Sequence, residues 1–192
     1  MTKEEVLKLF KDTEALLEGH FQLTSGLHSP QYFQCAKVLQ YPQHAEALCR
    51  EIAQHFKEIK IDVVISPALG GIVVGQEVAR QLGARSVFAE RADGMLQLRR
   101  GFEIQRGEQV LACEDVVTTG GSIGEVLGIV RKSRGSIVGA ACIVDRTTGK
   151  TEDDQGEQLF SLLKMDVVTY KPEHCPLCRQ NVPLVKPGSR SV

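Results

Sequence analysis

The sequence predicts one α/β domain built on a central, mostly parallel sheet flanked by helices. Three observations point there. Short apolar runs rich in Val and Ile, at 61–66, 110–113 and 136–144, alternate with segments whose apolar residues recur at helical spacing. Two of these runs lead into glycine-bearing turns that open a helix, at Gly70-Gly71 and Gly120-Gly121, and a helix is the usual connection between parallel strands. The length of 192 residues suits a single domain. Such a chain can bury about 70% of its unfolded surface without disulfide staples.

Taken in order, Thr2-Lys-Glu-Glu5 fits a capping box. Val6, Leu9, Phe10, Leu16 and Leu17 then keep helical spacing as far as Gly19, which reads as the stop. Residues 21–39 read as irregular or strand-like, broken by Ser25-Gly26 and Ser29-Pro30. Residues 42–57 form a helix whose inner stripe is Ala45, Leu48, Ile52, Ala53 and Phe56. The strand at 61–66 feeds a helix from Gly70 to about Leu82, and 86–89 is the next strand. A polar, arginine-bearing hairpin or flap fills about 90–108. The strand from Val110 and a helix over 123–130 follow, then a strand at 136–144. Residues 158–170 read as a last strand, and the tail, about 171–192, reads as loop.

Composition narrows the function classes. The apolar share of 42% and charged share of 24% are ordinary for a globular protein. A formal net charge of −1 gives no reason to expect nucleic acid or a membrane as partner. The start, Met1-Thr-Lys-Glu-Glu5, lacks the apolar core of a signal peptide, and no apolar run approaches the ~20 residues of a membrane span. Cys35, Cys49, Cys113 and Cys142 are scattered through regular segments, a usage that points to a reducing cytoplasm.

The stretch with most chemistry is Val110-Leu-Ala-Cys-Glu-Asp-Val-Val-Thr-Thr-Gly-Gly-Ser122. A buried strand carries two adjacent carboxylates, Glu114 and Asp115, to its end. Gly120 and Gly121 permit backbone conformations closed to other residues. The helix that follows presents unpaired amides and the positive end of its dipole, which suit a phosphate. Acids able to grip sugar hydroxyls or Mg²⁺ thus stand one turn from a phosphate cradle.

This segment resembles the phosphoribosyl-diphosphate (PRPP) signature of type I phosphoribosyltransferases, in which four apolar residues, two acids and two apolar residues precede Thr-Thr-Gly-Gly-Ser. The resemblance implies the fold of that family with a small N-terminal hood, here about 1–40 of a single 1–192 domain. It implies that Glu114 and Asp115 hold the ribose hydroxyls, with Asp115 counted among the catalytic residues. Thr118, Thr119, Gly120, Gly121 and Ser122 would then wrap the 5′-phosphate, with Val116 and Val117 also counted in the PRPP site. Ser66-Pro-Ala-Leu-Gly-Gly71 is similar to the family's pyrophosphate loop, with Gly70 and Gly71 binding through backbone. Many orotate enzymes of the family carry a lysine where Gly70 stands.

Within the family the chain resembles the orotate branch. Arg91, Arg99 and Arg100 fall in a segment similar to the basic flap that faces the diphosphate, a task suited to arginine's planar fork. That flap often closes over a neighbouring subunit, which implies a homodimer. A solvated charged hairpin is the alternative for each arginine. Tyr32 and Phe33 match aromatics that stack on the pyrimidine, or else serve the core, and Thr24 stands where the family carries a lysine. Arg146, after Asp145, matches the arginine that binds the orotate carboxylate, unless it merely pairs with Asp145. Thr118 would also border orotate. The implied reaction joins PRPP and orotate into orotidine 5′-monophosphate and pyrophosphate, with Mg²⁺ bound through PRPP, as a step of pyrimidine synthesis.

Other readings stay open. Adenine and xanthine enzymes share the signature, and some proteins that carry it only sense PRPP. Gly120-Gly-Ser122-Ile-Gly124 also matches the G-x-S-x-G elbow of serine hydrolases, with His174 downstream. Cys175-Pro-Leu-Cys178, beside His174, reads as half a zinc site needing Cys49 or a second subunit, as a redox pair, or as a plain loop.

Overall fold

A computed structural model of the protein describes residues 1–23, 25–147, 159–165 and 168–187. Thr24 and the last residues of the tail lie outside them. The first helix, α1 (Lys3–Asp12), starts on the capping box: the Thr2 hydroxyl accepts from the Glu5 amide at 3.2 Å, and the Glu5 carboxylate from the Thr2 amide at 2.7 Å. It ends well before Gly19. The Thr13 hydroxyl donates back to the Leu9 carbonyl at 2.8 Å, and Glu14 turns the chain at a φ of 52°. Leu16 and Leu17, which continued the helical spacing, instead begin β1 (Leu16–Gln22), paired antiparallel with β2 (His28–Phe33). Spacing alone cannot separate a helix from a strand whose inward residues happen to fall in phase.

The short helix α2 (Cys35–Leu39) leads to α3 (Pro42–His55), which has proline in its first turn, where no amide partner is lost. Then come β3 (Val63–Pro67), α4 (Gly70–Leu82), β4 (Arg85–Ala92), β5 (Met95–Leu98), β6 (Gln109–Val117), α5 (Gly121–Lys132), β7 (Ser136–Asp145) and β8 (Leu159–Lys164). The flap segment is thus partly strand: β5 folds back on β4 as a hairpin. The main sheet runs β5-β4-β3-β6-β7-β8, parallel throughout except at that hairpin.

Strand alternation divides the apolar residues between two layers. Val64, Leu111, Cys113 and Ile143 face α3 and α4, in a buried cluster that also takes Val6 and Phe10 of α1 and Phe33 of β2. Val63, Ile65, Val110 and Ala112 face the other way, against Ile123, Val126, Leu127 and Val130 of α5. The N-terminal ribbon therefore sits on the α4 side through a shared core.

The tail is not simple loop. Tyr170 bridges β2 at His28, Val185 bridges β1 at Phe21, and α6 (Pro176–Arg179) lies between them after a 3₁₀ turn at Pro172–His174. Its order comes from partners more than a hundred residues away, which local sequence does not reveal. Among the described residues no helix is long and apolar enough to cross a membrane.

Phe10 is fully buried, edge-on to Phe33 with ring centroids 6.0 Å apart. Phe10→Ala should lower stability by about 3–5 kcal/mol, measurable as a fall in the denaturant midpoint. A change below 1 kcal/mol would mean that α1 is not part of the cooperative core.

Candidate functional site

β3 and β6 are neighbours, yet the chain leaves β3 outward to β4 and returns on the other side with β6. Strand order reverses between them, and open parallel sheets bind ligands in the crevice beyond such a point. The following helices pack on opposite faces of the sheet, and both begin at this crevice. Neither α4 nor α5 has a side-chain N-cap, and neither carries an acid in its first turn. Their leading amides and dipole ends are therefore free to take an anion. Gly120 caps α5 at φ 81°, ψ −3°, a left-handed conformation that glycine adopts without strain. In the other loop the Ala68–Leu69 peptide is cis and Leu69 is 82% exposed.

The two acids stand between these loops on the half-buried end of β6. Alternation sends Glu114 toward the α5 layer and Asp115 toward α4. Asp115 lies directly against Gly70: a Cβ built there would come 2.7 Å from the carboxylate carbon. A side chain at Gly70 would therefore require the Asp115 carboxylate to move. Burial, then the neighbouring Asp115 charge, pushes Glu114 up to about 8. Asp115 is also raised by burial, against the pull of the Val116 amide and its own. Among the described residues no lysine or arginine pairs with either acid. The pair suits hydroxyl donors or a hydrated cation.

The rest of the signature divides its work. Thr118, Thr119 and Gly121 are exposed, while the Val117 side chain is in the core. Val117 acts through its carbonyl, which accepts from the Arg146 amide at 2.8 Å. That bond sets Arg146, just past β7, at the end of the strand that carries the acids. Its guanidinium carbon lies 5.6 Å from the Phe33 ring centroid, and its buried Nε has no hydrogen-bond partner among the described residues. Burial lowers its proton affinity, opposed by Tyr32 and Cys35. Arg146 does not pair with Asp145, whose carboxylate accepts from the Thr147 amide and hydroxyl at 2.9 and 2.7 Å and meets Lys164 at 3.3 Å.

Tyr32 and Phe33 alternate across β2 and cannot share a face. Phe33 is 5% exposed and packs beneath Arg146. Half-buried Tyr32 lies against Phe21, centroids 5.8 Å apart, with its hydroxyl held above its ordinary range by burial despite Arg146.

The three flap arginines differ. Arg91 donates to Gly94 O at 2.6 Å and grips Glu125 of α5 at 2.9 Å, an acid that also accepts from the Leu96 amide at 2.8 Å. Arg100 makes a two-pronged pair with Glu90 at 2.7 and 2.8 Å. The exposed Arg99 guanidinium makes no hydrogen bond or ion pair with a described residue, lying only within electrostatic reach of Glu90, while its carbonyl accepts from the Phe102 amide at 3.0 Å. The sequence reading missed Glu90 and Glu125 as partners, and it missed Cys35, whose Sγ is 4.0 Å from the Asp115 carbonyl. No motif marked them, because each partner comes from another element. His174 is exposed in the tail and forms no hydrogen bond with Ser122 among the described residues.

Residues 36–171 match the family model described as phosphoribosyl transferase domain. The chain is 57% identical over 190 residues to the orotate phosphoribosyltransferase of Caldicellulosiruptor bescii, covering 99% of each. It is 56% identical over 191 residues to that of Chlorobaculum parvum, covering 100% of this chain and 98% of the relative. Among solved structures, the orotate phosphoribosyltransferase of Aeropyrum pernix shares the fold at a TM-score of 0.71 and 24% identity, over 83% of this chain and 93% of that one.

The raised carboxyl of Glu114 has a signed consequence. Folding holds its proton up to about pH 8, whereas the unfolded chain releases it in the usual carboxylate range. Its contribution to stability is complete at acid pH and is lost as pH rises toward 8. Melting curves of the ligand-free protein from pH 5 to 8.5 should show a slope that Glu114→Gln flattens. Equal slopes in the two proteins would mean that the acid is solvated.

Proposed function

The chain belongs to the phosphoribosyltransferase family, and on that footing we propose that it transfers the 5-phosphoribosyl group of PRPP to orotate. The products are orotidine 5′-monophosphate and pyrophosphate, a step of pyrimidine biosynthesis. The choice of base rests on Arg146: a desolvated guanidinium whose Nε has no partner among the described residues, braced on Phe33 at the tip of the strand next to the one that carries the acids. Such a group has strong reason to take a carboxylate through parallel hydrogen bonds. Half-buried Tyr32 lines the same end and offers its ring to a planar pyrimidine, with Thr118 at the border.

In this reading the α5 loop, Thr118 to Ser122, anchors the 5′-phosphate with amides and hydroxyls. The α4 loop, with Gly70 and Gly71, takes the diphosphate through its backbone. Glu114 and Asp115 hold the ribose hydroxyls between them. Anchoring both ends of the sugar uses remote binding energy to fix the carbon at which the bond breaks. The leaving diphosphate gathers charge as the bond loosens, and Mg²⁺ carried with PRPP would neutralise part of it. The uncompensated acid pair fits that partnership.

Arginine supplies the remaining positive charge. Arg91 is engaged by Glu125 of α5 and Arg100 by Glu90, whereas the Arg99 side chain has no such tie among the described residues and is the arginine we assign to the diphosphate. A homodimer in which each flap reaches its neighbour's site is the matching assembly. Six free cysteines suit a reducing compartment such as the cytoplasm.

The direct experiment supplies PRPP and Mg²⁺ with orotate, adenine or xanthine in turn and follows pyrophosphate. Release with orotate alone is expected, and release only with a purine would overturn the assignment. Arg146→Ala should raise the KM for orotate far more than that for PRPP. Equal effects on both would make Arg146 a packing residue. Asp115→Asn should cut turnover about 10²-fold, a loss of ~2.7 kcal/mol in the transition state. Unchanged kcat in a folded variant would remove Asp115 from the reaction.

A further inference from the structure

Away from the crevice, four side chains with metal-binding atoms converge on one point. They are His20 of β1, His28 of β2, and Cys175 and Cys178 of the tail, with all four donor atoms within 4.8 Å of one another. His20 Nε2 is 2.9 Å from His28 Nδ1 and 3.5 Å from Cys175 Sγ, and Cys178 Sγ is 3.3 Å from His28 Nδ1. A tetrahedral zinc centre, with Zn–N near 2.0 and Zn–S near 2.3 Å, needs edges of about 3.3–3.8 Å. The observed separations lie around that range.

The second contacts of these ligands support the same chemistry. His20 Nδ1 is 2.8 Å from the Val182 carbonyl, which can only accept, so the proton sits on Nδ1 and the Nε2 lone pair faces the cluster. The backbones of both histidines hold the tail. His28 exchanges hydrogen bonds with Tyr170 at 2.8 and 2.9 Å, and the His20 carbonyl accepts from the Val185 amide at 2.9 Å. Three of the four residues are buried: His20, His28 and Cys175 are 2%, 4% and 1% exposed. Two polar rings and a thiol are costly to desolvate in so small a space without a common partner.

We propose that His20, His28, Cys175 and Cys178 form a structural zinc site that clamps the C-terminal tail onto the N-terminal ribbon. Two nitrogens and two sulfurs in tetrahedral array favour Zn²⁺ over the harder Mg²⁺. All four positions come from this chain, so no place is left open for a reacting water. The half-site legible in the sequence is therefore completed within one subunit. Neither earlier candidate takes part: Cys49 donates to the Val74 carbonyl in the core, and His174 is exposed beside the cluster. The clamp also has a place in the chemistry, because β2 carries Tyr32 and Phe33 beyond His28.

The test uses the untagged full chain, purified without chelator, and measures bound metal by mass spectrometry. About one zinc per chain is expected. His28→Ala and Cys178→Ser should each reduce that to near zero and lower the melting temperature, while His174→Ala should keep the metal. Should the variants fail to fold, the wild type still decides. A mercurial thiol reagent should release zinc to a chromophoric chelator, and cobalt(II) replacement should give thiolate charge-transfer and tetrahedral d–d bands. A metal-free wild type, a Cys175–Cys178 disulfide in the isolated protein, or zinc retained by a folded Cys178→Ser protein would each overturn the site. These readouts need no substrate, so they stand or fall separately from the transferase reading. On that reading, zinc loss should also raise the orotate KM more than the PRPP KM.

Discussion

The contact of the Asp115 carboxylate with the backbone of Gly70 is the constraint on which the crevice depends. It brings the tip of β6 against the first turn of α4, with the carboxylate occupying the space that a Gly70 side chain would enter. Parallel neighbours β3 and β6 hold the two elements in register, from Val63 beside Val110 to Ile65 beside Ala112. One glycine-opened helix then rises on each face of the sheet. The acids end between two sets of free amides; burial resists the ionisation of both, and the Asp115 charge adds to it at Glu114. A site of this kind is tolerated without ligand because Glu114 can keep its proton up to about pH 8, and it gains most from a ligand that brings hydroxyl donors or a cation.

The distribution of positive charge follows the same economy. Arg91 and Arg100 are neutralised by Glu125 and Glu90, and those pairs shape the hairpin of β4 and β5. Exposed pairs of this type add little stability, at most about 1 kcal/mol each. Their value here is to hold the hairpin while Arg99 stays outside. Arg146 is arranged differently: it is fixed from below by an aromatic ring and by a backbone bond to β6, and its Nε has no hydrogen-bond partner among the described residues. Phe33, one of two aromatics that read as base contacts, supports the arginine from the core.

The ribbon and tail show how a local reading reaches its limit. Leu16 and Leu17 continued the helical phase of α1, but Thr13 and Glu14 end that helix by geometry that spacing does not encode. The tail offered no periodicity at all, yet its described part is tied down by isolated bridges to β1 and β2 and by two cysteines meeting two histidines some 150 residues earlier. Among the flap arginines, nothing in the residue types distinguished Arg99 from its neighbours. Only the acids that come to face each of them do so.

The sequence by itself determined the alternation of strands and helices, the two loops that open helices, and the acid pair beside one of them. Each of those is written in contiguous residues, because a strand, a turn and a helix start follow from side chains a few positions apart. Tertiary structure decided which charges are matched and which remain free, that the Asp115 carboxylate lies against Gly70, and which residues meet the cysteine pair. Those outcomes depend on groups that meet only when β1, β2, β6 and the tail are brought together, and chain separation erases any trace of them from local pattern.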